Sequence, residues 1–316
     1  MEIELKLEII LILLLAIGIG ALLMRRRKHR NITPEIRERA AGRFVRLSCG
    51  YTHYECGGPE NGPVVVLIHG FSVPYHMWDP TFVALVRAGF RVIRYDLYGR
   101  GLSDRPRLVY NRRLFVAQLS ELLEALAIKE PVYLAGNSMG GAVAAAFAAS
   151  YPERVGKVVL IAPFSEKFKI GWMGLPVIGE LITAVFFVPA APQAQLQDFY
   201  RPERFPEWPE RFREQMGYQG FGYALLSTLR NFLNQDPTPD YVELSQAEKP
   251  VLLIWGAEDR TLGTGGADKL RRILAPDFLW LEQVGHIPQY ECPEIVNPRI
   301  IAFLAEHAAA ELRKRA

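Results

Sequence analysis

The sequence predicts an α/β fold, a mostly parallel, doubly wound sheet with a helical cap insertion, preceded by one N-terminal transmembrane helix. Three observations carry this reading. Short apolar runs such as VVVLIH (Val64 to His69), VYLAG (Val132 to Gly136) and VLLIWG (Val251 to Gly256) alternate with stretches of helical character. Continuous apolar runs of this length suit strands buried on both faces, and alternation with helices makes βαβ units. The alternation stops between Pro163 and Lys249, a stretch rich in aromatics and prolines. Finally, Ile9 to Met24 reads IILILLLAIGIGALLM without a charged residue.

That apolar segment comes first in the chain. Its sixteen residues rise roughly 24 Å as a helix, a little short of a ~30 Å hydrocarbon core, and the stems of Lys6 and Arg25 extend its reach. A cleaved signal peptide or a buried core helix would also be apolar. A signal peptide, however, begins basic and ends at small residues, whereas here Glu2, Glu4 and Glu8 precede the run and Arg25, Arg26, Arg27, Lys28 and Arg30 follow it. Basic residues stay cytoplasmic, so the expected arrangement is a single-pass membrane anchor with the remaining chain in the cytoplasm. The division expected is an anchor and basic flank over 1–30 and one domain over 31–316, with the cap at about 164–248.

Composition excludes other classes. Half the residues are apolar, enough for a large core, and the formal net charge is only +3. Without the basic run after Met24 the balance is slightly acidic, so no nucleic-acid surface is implied. Three cysteines, Cys49, Cys56 and Cys292, make no disulfide framework and are expected as free thiols. No spacing of histidine and cysteine suggests a metal site.

After a polar stretch, Arg43 to Cys56 reads as two short strands. Strands follow at Val64 to His69, Phe90 to Asp96, Val132 to Gly136, Lys157 to Pro163, Val251 to Gly256 and Phe278 to Val284. Helices are expected at Tyr75 to Ala88, Arg113 to Leu126 and Met139 to Ser150, and again from about Pro293 into the charged tail. Phe164, Trp172, Phe186, Phe187, Trp208 and Phe221 lie in the irregular stretch, read as a cap over the C-terminal edge of the sheet.

Gly136-Asn137-Ser138-Met139-Gly140 fits a Gly-x-Ser-x-Gly nucleophile elbow. A serine on a sharp strand-to-helix turn has strained backbone, and glycine two positions away on each side gives the turn room. The hydroxyl then rises beside a helix N-terminus, whose amides favour developing negative charge. The pentapeptide alone recurs by chance, but here an apolar strand precedes it and an alanine-rich helix follows. A glycine-rich helix start capped by serine is the competing explanation.

A serine hydroxyl needs a base to take its proton, and the base needs a carboxylate to fix its tautomer. His286 follows Gly285 directly after the last strand, and Asp259 lies three residues past Gly256. Glu258 competes with Asp259 for the acid role. Asp96 and Asp104 are expected to cap turns, His69 to serve loop structure, and His29, His53, His76 and His307 to be ordinary surface residues. The oxyanion hole is expected from the backbone N–H groups of Met139 and Phe71, the latter in the loop His69-Gly70-Phe71.

Together HGF (His69 to Phe71), YDLYGRGLSDRP (Tyr95 to Pro106), GNSMGG (Gly136 to Gly141), WGAEDR (Trp255 to Arg260) and GHIPQYECPE (Gly285 to Glu294) make the chain resemble the α/β-hydrolase superfamily from about Arg43 to Ala309. The likeness is to single-domain esterases, lipases and carbon–carbon bond hydrolases with a helical cap, and it implies no metal and no organic cofactor. Two departures stand out. RTLGTGG follows Asp259 where relatives often carry a proline, and Phe71 stands where HGGG-type esterases carry further glycines. An anchor ahead of such a domain is similar to the membrane-bound monoacylglycerol lipases.

The resemblance and the residues lead to a serine hydrolase acting on a carboxylic ester of a lipid-like or apolar small molecule. A carbon–carbon bond hydrolase would use the same three residues, and a perhydrolase or haloperoxidase activity is a further variant. Epoxide hydrolases and dehalogenases are disfavoured because they carry an aspartate at the elbow. In another class, an inactive scaffold would usually have lost one of Ser138, Asp259 and His286.

Overall fold

The computed structural model describes residues 30–315, with side chains as far as Glu306. The expected membrane helix and His29 lie outside the described residues, as does the His307 side chain. Among the described residues no helix is long and apolar enough to cross a membrane.

Eight strands form one sheet: β1 (Arg43–Leu47), β2 (Gly50–Gly57), β3 (Val64–Ile68), β4 (Arg91–Tyr95), β5 (Val132–Asn137), β6 (Val155–Ile161), β7 (Val251–Gly256) and β8 (Asp277–Leu281). Their order is β1-β2-β4-β3-β5-β6-β7-β8. β2 runs antiparallel to both its neighbours, and every later pairing is parallel. The sequential order reverses between β3 and β5, where Ile68 pairs with Gly136. Loops leaving this switch point diverge and open a crevice at the C-terminal edge of the strands.

The central strands are apolar throughout because they feed two cores. Val64, Val66 and Ile68 join one hydrophobic cluster, whereas Val65 and Leu67 join the other. β7 divides in the same way, with Leu253 and Trp255 on one side and Leu252 and Ile254 on the other. After the short α1 (Pro34–Arg39) come α2 (Asp79–Arg87), α3 (Arg112–Ala125) and α4 (Met139–Ser150). α4 is buried over nearly its whole surface, which its glycines and alanines permit by letting neighbouring backbone approach closely.

Residues 162–250 add no strand to the sheet and carry α5 (Ile178–Ile182), α6 (Val188–Ala194), α7 (Trp208–Met216), α8 (Phe221–Thr228) and α9 (Thr238–Gln246). Its aromatics divide by depth. Phe199, Trp208, Phe212 and Phe221 are buried, whereas Trp172 and Phe186 are 70% and 68% exposed. The last helices are α10 (Gly265–Leu274), α11 (Pro288–Glu291) and α12 (Pro293–Arg315). The cysteines are free.

Strand ends differ from the sequence reading for local reasons. β6 starts at Val155 and stops at Ile161, because Ala162 turns at φ 38°. β8 stops at Leu281, because Gln283 turns at φ 58° and the Val284 N–H is taken by the Glu258 carboxylate at 3.0 Å. Glu258 is thereby occupied in holding a loop.

Two histidines expected at the surface are not there. His76 is half-buried with its Nε2 sealed from solvent, edge-on to Trp208 at 5.4 Å. Burial and the neighbouring Arg211 push it down to about 3, so it is neutral. His53 is 4% exposed, its Nδ1 2.7 Å from Asp96 Oδ2 and its Nε2 2.7 Å from the Ala41 carbonyl. Both partners accept, so both ring nitrogens donate and the imidazole is cationic. Asp96 also accepts from the amides of Tyr75 and Leu102, at 3.0 and 2.9 Å, and so does more than cap a turn.

Burial opposes the charge on His53, but the hydrogen bond and charge of Asp96, the Ala41 carbonyl and Glu55 outweigh it and raise its pKa. A raised folded-state pKa means stabilisation that is complete below the unfolded value near 6.5 and fades as pH climbs through the folded value. His69 and His76 are shifted downward and act in the opposite sense, so the term is isolated by difference. His53→Gln should cost about 3 kcal/mol at pH 6, the scale of breaking a buried ion pair, with the gap to wild type narrowing toward alkaline pH in urea melts. A gap independent of pH would show that His53 contributes by packing alone.

Candidate active site

Ser138 stands between β5 and α4 at φ 53°, ψ −121°, a strained conformation for a residue with a side chain. The surrounding backbone holds it there. Its N–H donates to the Ile161 carbonyl at 3.0 Å, and its carbonyl accepts from Gly141, Ala142 and Phe164. The flanking glycines are required by space. A Cβ on Gly136 would lie 2.3 Å from the Gly140 carbonyl oxygen, and one on Gly140 would lie 2.2 Å from that of Ile68. The result lifts Ser138, partly exposed, at the switch point of the sheet.

The loop after β3 lies against it. A Cβ built on Gly70 would be 3.4 Å from the Cβ of Ser138. His69 serves this loop and no proton transfer: its Nδ1 donates to the Gly70 carbonyl at 2.8 Å and its Nε2 accepts the Leu97 N–H at 2.9 Å. Burial pushes it down to about 4, so it is neutral. Arg100 holds the Phe71 carbonyl at 2.7 Å and also donates to Tyr98 O and Thr228 Oγ1. It is wholly buried with no carboxylate partner among the described residues, and burial pushes its guanidinium down to about 9. Among the described residues, neither the Met139 nor the Phe71 N–H has a hydrogen-bond partner.

Asp259 and His286 meet across the loops after β7 and β8. His286 Nδ1 is 2.7 Å from Asp259 Oδ2, and both residues are buried. Asp259 Oδ1 accepts the N–H groups of Thr261 and Leu262, each at 2.9 Å. The loop RTLGTGG therefore fixes the carboxylate through its own amides. Burial disfavours a charged imidazole at His286, yet the charge and hydrogen bond of Asp259, with the charge of Asp198, leave its pKa raised. Asn137 Nδ2 ties the elbow to the His286 carbonyl at 3.1 Å. The Ser138 hydroxyl has no partner among the described residues, as befits a site whose contacts tighten around a substrate.

Three neighbours are absent from the sequence reading. Asp198 belongs to the insertion, and its carbonyl accepts the His286 N–H at 2.6 Å. Glu291 accepts from the Gly285 N–H at 2.7 Å and from Tyr200 and Arg201. Arg100 lies within a stretch whose function no local spacing reveals. A cleft of about 690 Å³, lined among others by Ile32, Val188, Met216, Phe221 and Leu226, opens in the insertion. None of Ser138, Asp259 and His286 lines it, but Phe187, adjacent to Val188, packs its ring against Phe71 at 6.4 Å. Among the described residues no group of histidine, cysteine and carboxylate side chains could hold a metal ion.

A mostly parallel sheet with a serine elbow at its switch point and a histidine–carboxylate pair on its last loops defines a hydrolase architecture. The model of the alpha/beta hydrolase family matches residues 65–299, and the chain belongs to that family. It is 30% identical over 295 residues to a 2-hydroxy-6-oxononadienedioate/2-hydroxy-6-oxononatrienedioate hydrolase of Paraburkholderia xenovorans, covering 85% of this chain and 97% of that one. It is 26% identical to the monoacylglycerol lipase ABHD6 of Homo sapiens, covering 83% and 84%. Among solved structures it resembles a bacterial membrane phospholipase A at a TM-score of 0.69, with 25% identity over 95% of this chain and 97% of that one.

The elbow's geometry gives a stability test. Gly140→Ala should cost about 4 kcal/mol or abolish folding, because backbone carbonyl has to move to admit the methyl group. Gly265→Ala at the start of α10, where a Cβ meets nothing within 4 Å, should change stability by less than about 0.5 kcal/mol. Equal effects of the two in urea denaturation would contradict this account of the turn.

Proposed function

We propose that the protein is a serine hydrolase that cleaves a carboxylic ester of a lipid-like or apolar molecule through an acyl-enzyme, with Ser138 as nucleophile, His286 as base and Asp259 as its orienting acid. The observation that carries this is the buried 2.7 Å contact between His286 Nδ1 and Asp259, on a loop that Asn137 ties to the strained elbow of Ser138. The carboxylate accepts, so Nδ1 carries the proton and Nε2 is left as the base. Ser138 Oγ attacks the carbonyl carbon as its proton passes to Nε2. The oxygen that becomes negative is received by the free N–H groups of Met139 and Phe71. The imidazolium then protonates the departing alcohol, and water, deprotonated by the same nitrogen, releases the acid.

An apolar substrate is supported by the insertion. Trp172, Leu175, Val177, Ile178, Val185 and Phe186 are exposed along one stretch of chain, which suits contact with something apolar. The described chain begins at this same part of the molecule: Arg30 pairs with Tyr218, its N–H donating to the Gly217 carbonyl at 2.9 Å. The apolar run before Arg25 would serve as a single-pass anchor with the hydrolase domain in the cytoplasm, bringing the insertion to the bilayer surface. Both the lipase and the phospholipase named above accord with this. The similarity to the oxononadienedioate hydrolase favours a second reading, carbon–carbon bond cleavage by the same three residues.

Full-length protein in detergent should hydrolyse p-nitrophenyl esters, and Ser138→Ala should lose at least ~10³-fold in kcat/KM. Fluorophosphonate labelling without turnover of any ester from acetate to laurate would move the reading to carbon–carbon cleavage. Absence of labelling would discard the serine hydrolase. Removal of residues 1–30 should shift the protein from the membrane fraction to the supernatant.

A further inference from the structure

We infer that Asp198, brought to the site by the insertion, is a positioning residue that holds His286 in place and sets a second carboxylate beside its imidazole. The inference rests on the serine-hydrolase reading above. Asp198 ends the turn Gln195–Asp198 that follows α6. Its carbonyl accepts the His286 N–H at 2.6 Å, and its Oδ1 accepts the Thr261 hydroxyl at 2.5 Å. The Thr261 N–H in turn donates to Asp259 Oδ1. One residue of the insertion thus grips both the loop that carries the base and the loop that carries the acid.

The approach is built for backbone contact. A Cβ on Gly285 would lie 2.3 Å from the Asp198 carbonyl oxygen and 2.9 Å from the Tyr200 nitrogen, so only glycine fits before the histidine. The buried Glu291 clamps the two strands of chain together, one oxygen accepting from Tyr200 and Arg201 and the other from Gly285. The histidine cannot shift without the segment from Asp198 to Arg201.

The charge at Asp198 has few partners. It is 7% exposed, and among the described residues no lysine or arginine pairs with it. The titratable groups facing it are His286 from the loop after β8 and Asp259 from the loop after β7, with Glu291 of α11 bound to the residues that follow it. Burial raises its pKa, with His286 and Thr261 opposing and Asp259 reinforcing that rise. The cation that favours its ionised form is therefore the imidazolium. During attack the proton passes from Ser138 Oγ to His286 Nε2. Asp198 takes no proton in this step, and its charge favours the imidazolium that forms.

A carboxylate that merely anchored a turn through Thr261 would be replaceable by a neutral acceptor. Asp198→Asn keeps an oxygen for Thr261 and the carbonyl for His286, and removes only the charge. Asp198→Ser removes the charge in a smaller side chain and serves if the amide does not fold. The readout is the rate of fluorophosphonate labelling of full-length protein in detergent between pH 5 and 8, which needs Ser138 and His286 but no knowledge of the natural substrate. Asp198 raises the pKa of His286, so its loss lets the imidazole stay neutral to lower pH. The acid limb should move to lower pH, and the plateau rate should fall about tenfold, the scale of one charge-assisted contact. A limb and plateau matching wild type in a folded uncharged variant would overturn the inference while leaving the hydrolase reading intact. No labelling of wild type at any pH would remove that reading and the inference with it.

Discussion

Backbone has to run against backbone at the C-terminal edge of this sheet, and the residues there are selected around that constraint. Ser138 can hold its strained turn only because Gly136 and Gly140 let the chain pass within contact of the Ile68 carbonyl. The turn in turn fixes where the hydroxyl emerges, between two strands whose connections leave in opposite directions. Parallel strands align their C-terminal ends, so the loops after β3, β5, β7 and β8 all open on this edge. Four short connections can therefore present an amide pair, a hydroxyl, a carboxylate and an imidazole without any one of them being long.

Charge is handled there by dipoles more than by ion pairs. Asp259 is met by two amides and an imidazole, and Glu291 by three amides. On the other side of the crevice Arg100 lies buried among carbonyls and a hydroxyl. Buried charges satisfied by fixed backbone groups cost less reorganisation than those matched by mobile side chains. Asp198 is the exception, with one hydroxyl for its carboxylate. Burial raises its pKa, with His286 and the Thr261 hydroxyl opposing that rise.

What could be read in the sequence is what short segments determine. The strands that feed two cores are uninterrupted apolar runs, and the elbow is a pentapeptide because its steric demands act within two residues. Asp259 and His286 stand at fixed offsets from the ends of their strands, so local pattern brings them into view. His53 and Asp96 became partners only through the pairing of β2 with β4, and nothing around either residue announces it. Asp198 lies in a segment without periodicity, and its neighbours are set by the packing of the insertion onto the sheet. Strand ends went astray where a single residue at positive φ, Ala162 or Gln283, turned the chain before its apolar character ended.

The insertion is a single run of chain with three duties. Trp172 to Phe186 carries its exposed apolar side chains, Val188 lines the cleft while Phe187 packs against Phe71, and Asp198 to Arg201 binds the histidine loop. A π-helical turn from Thr183 to Phe187 and Pro192 within α6 break the regular helix between these parts, which lets each face its own partner. The exposed apolar face and the geometry around His286 are then not separable modules. A change that moves the apolar face acts, through fewer than thirty residues of connected backbone, on the carbonyl that holds His286.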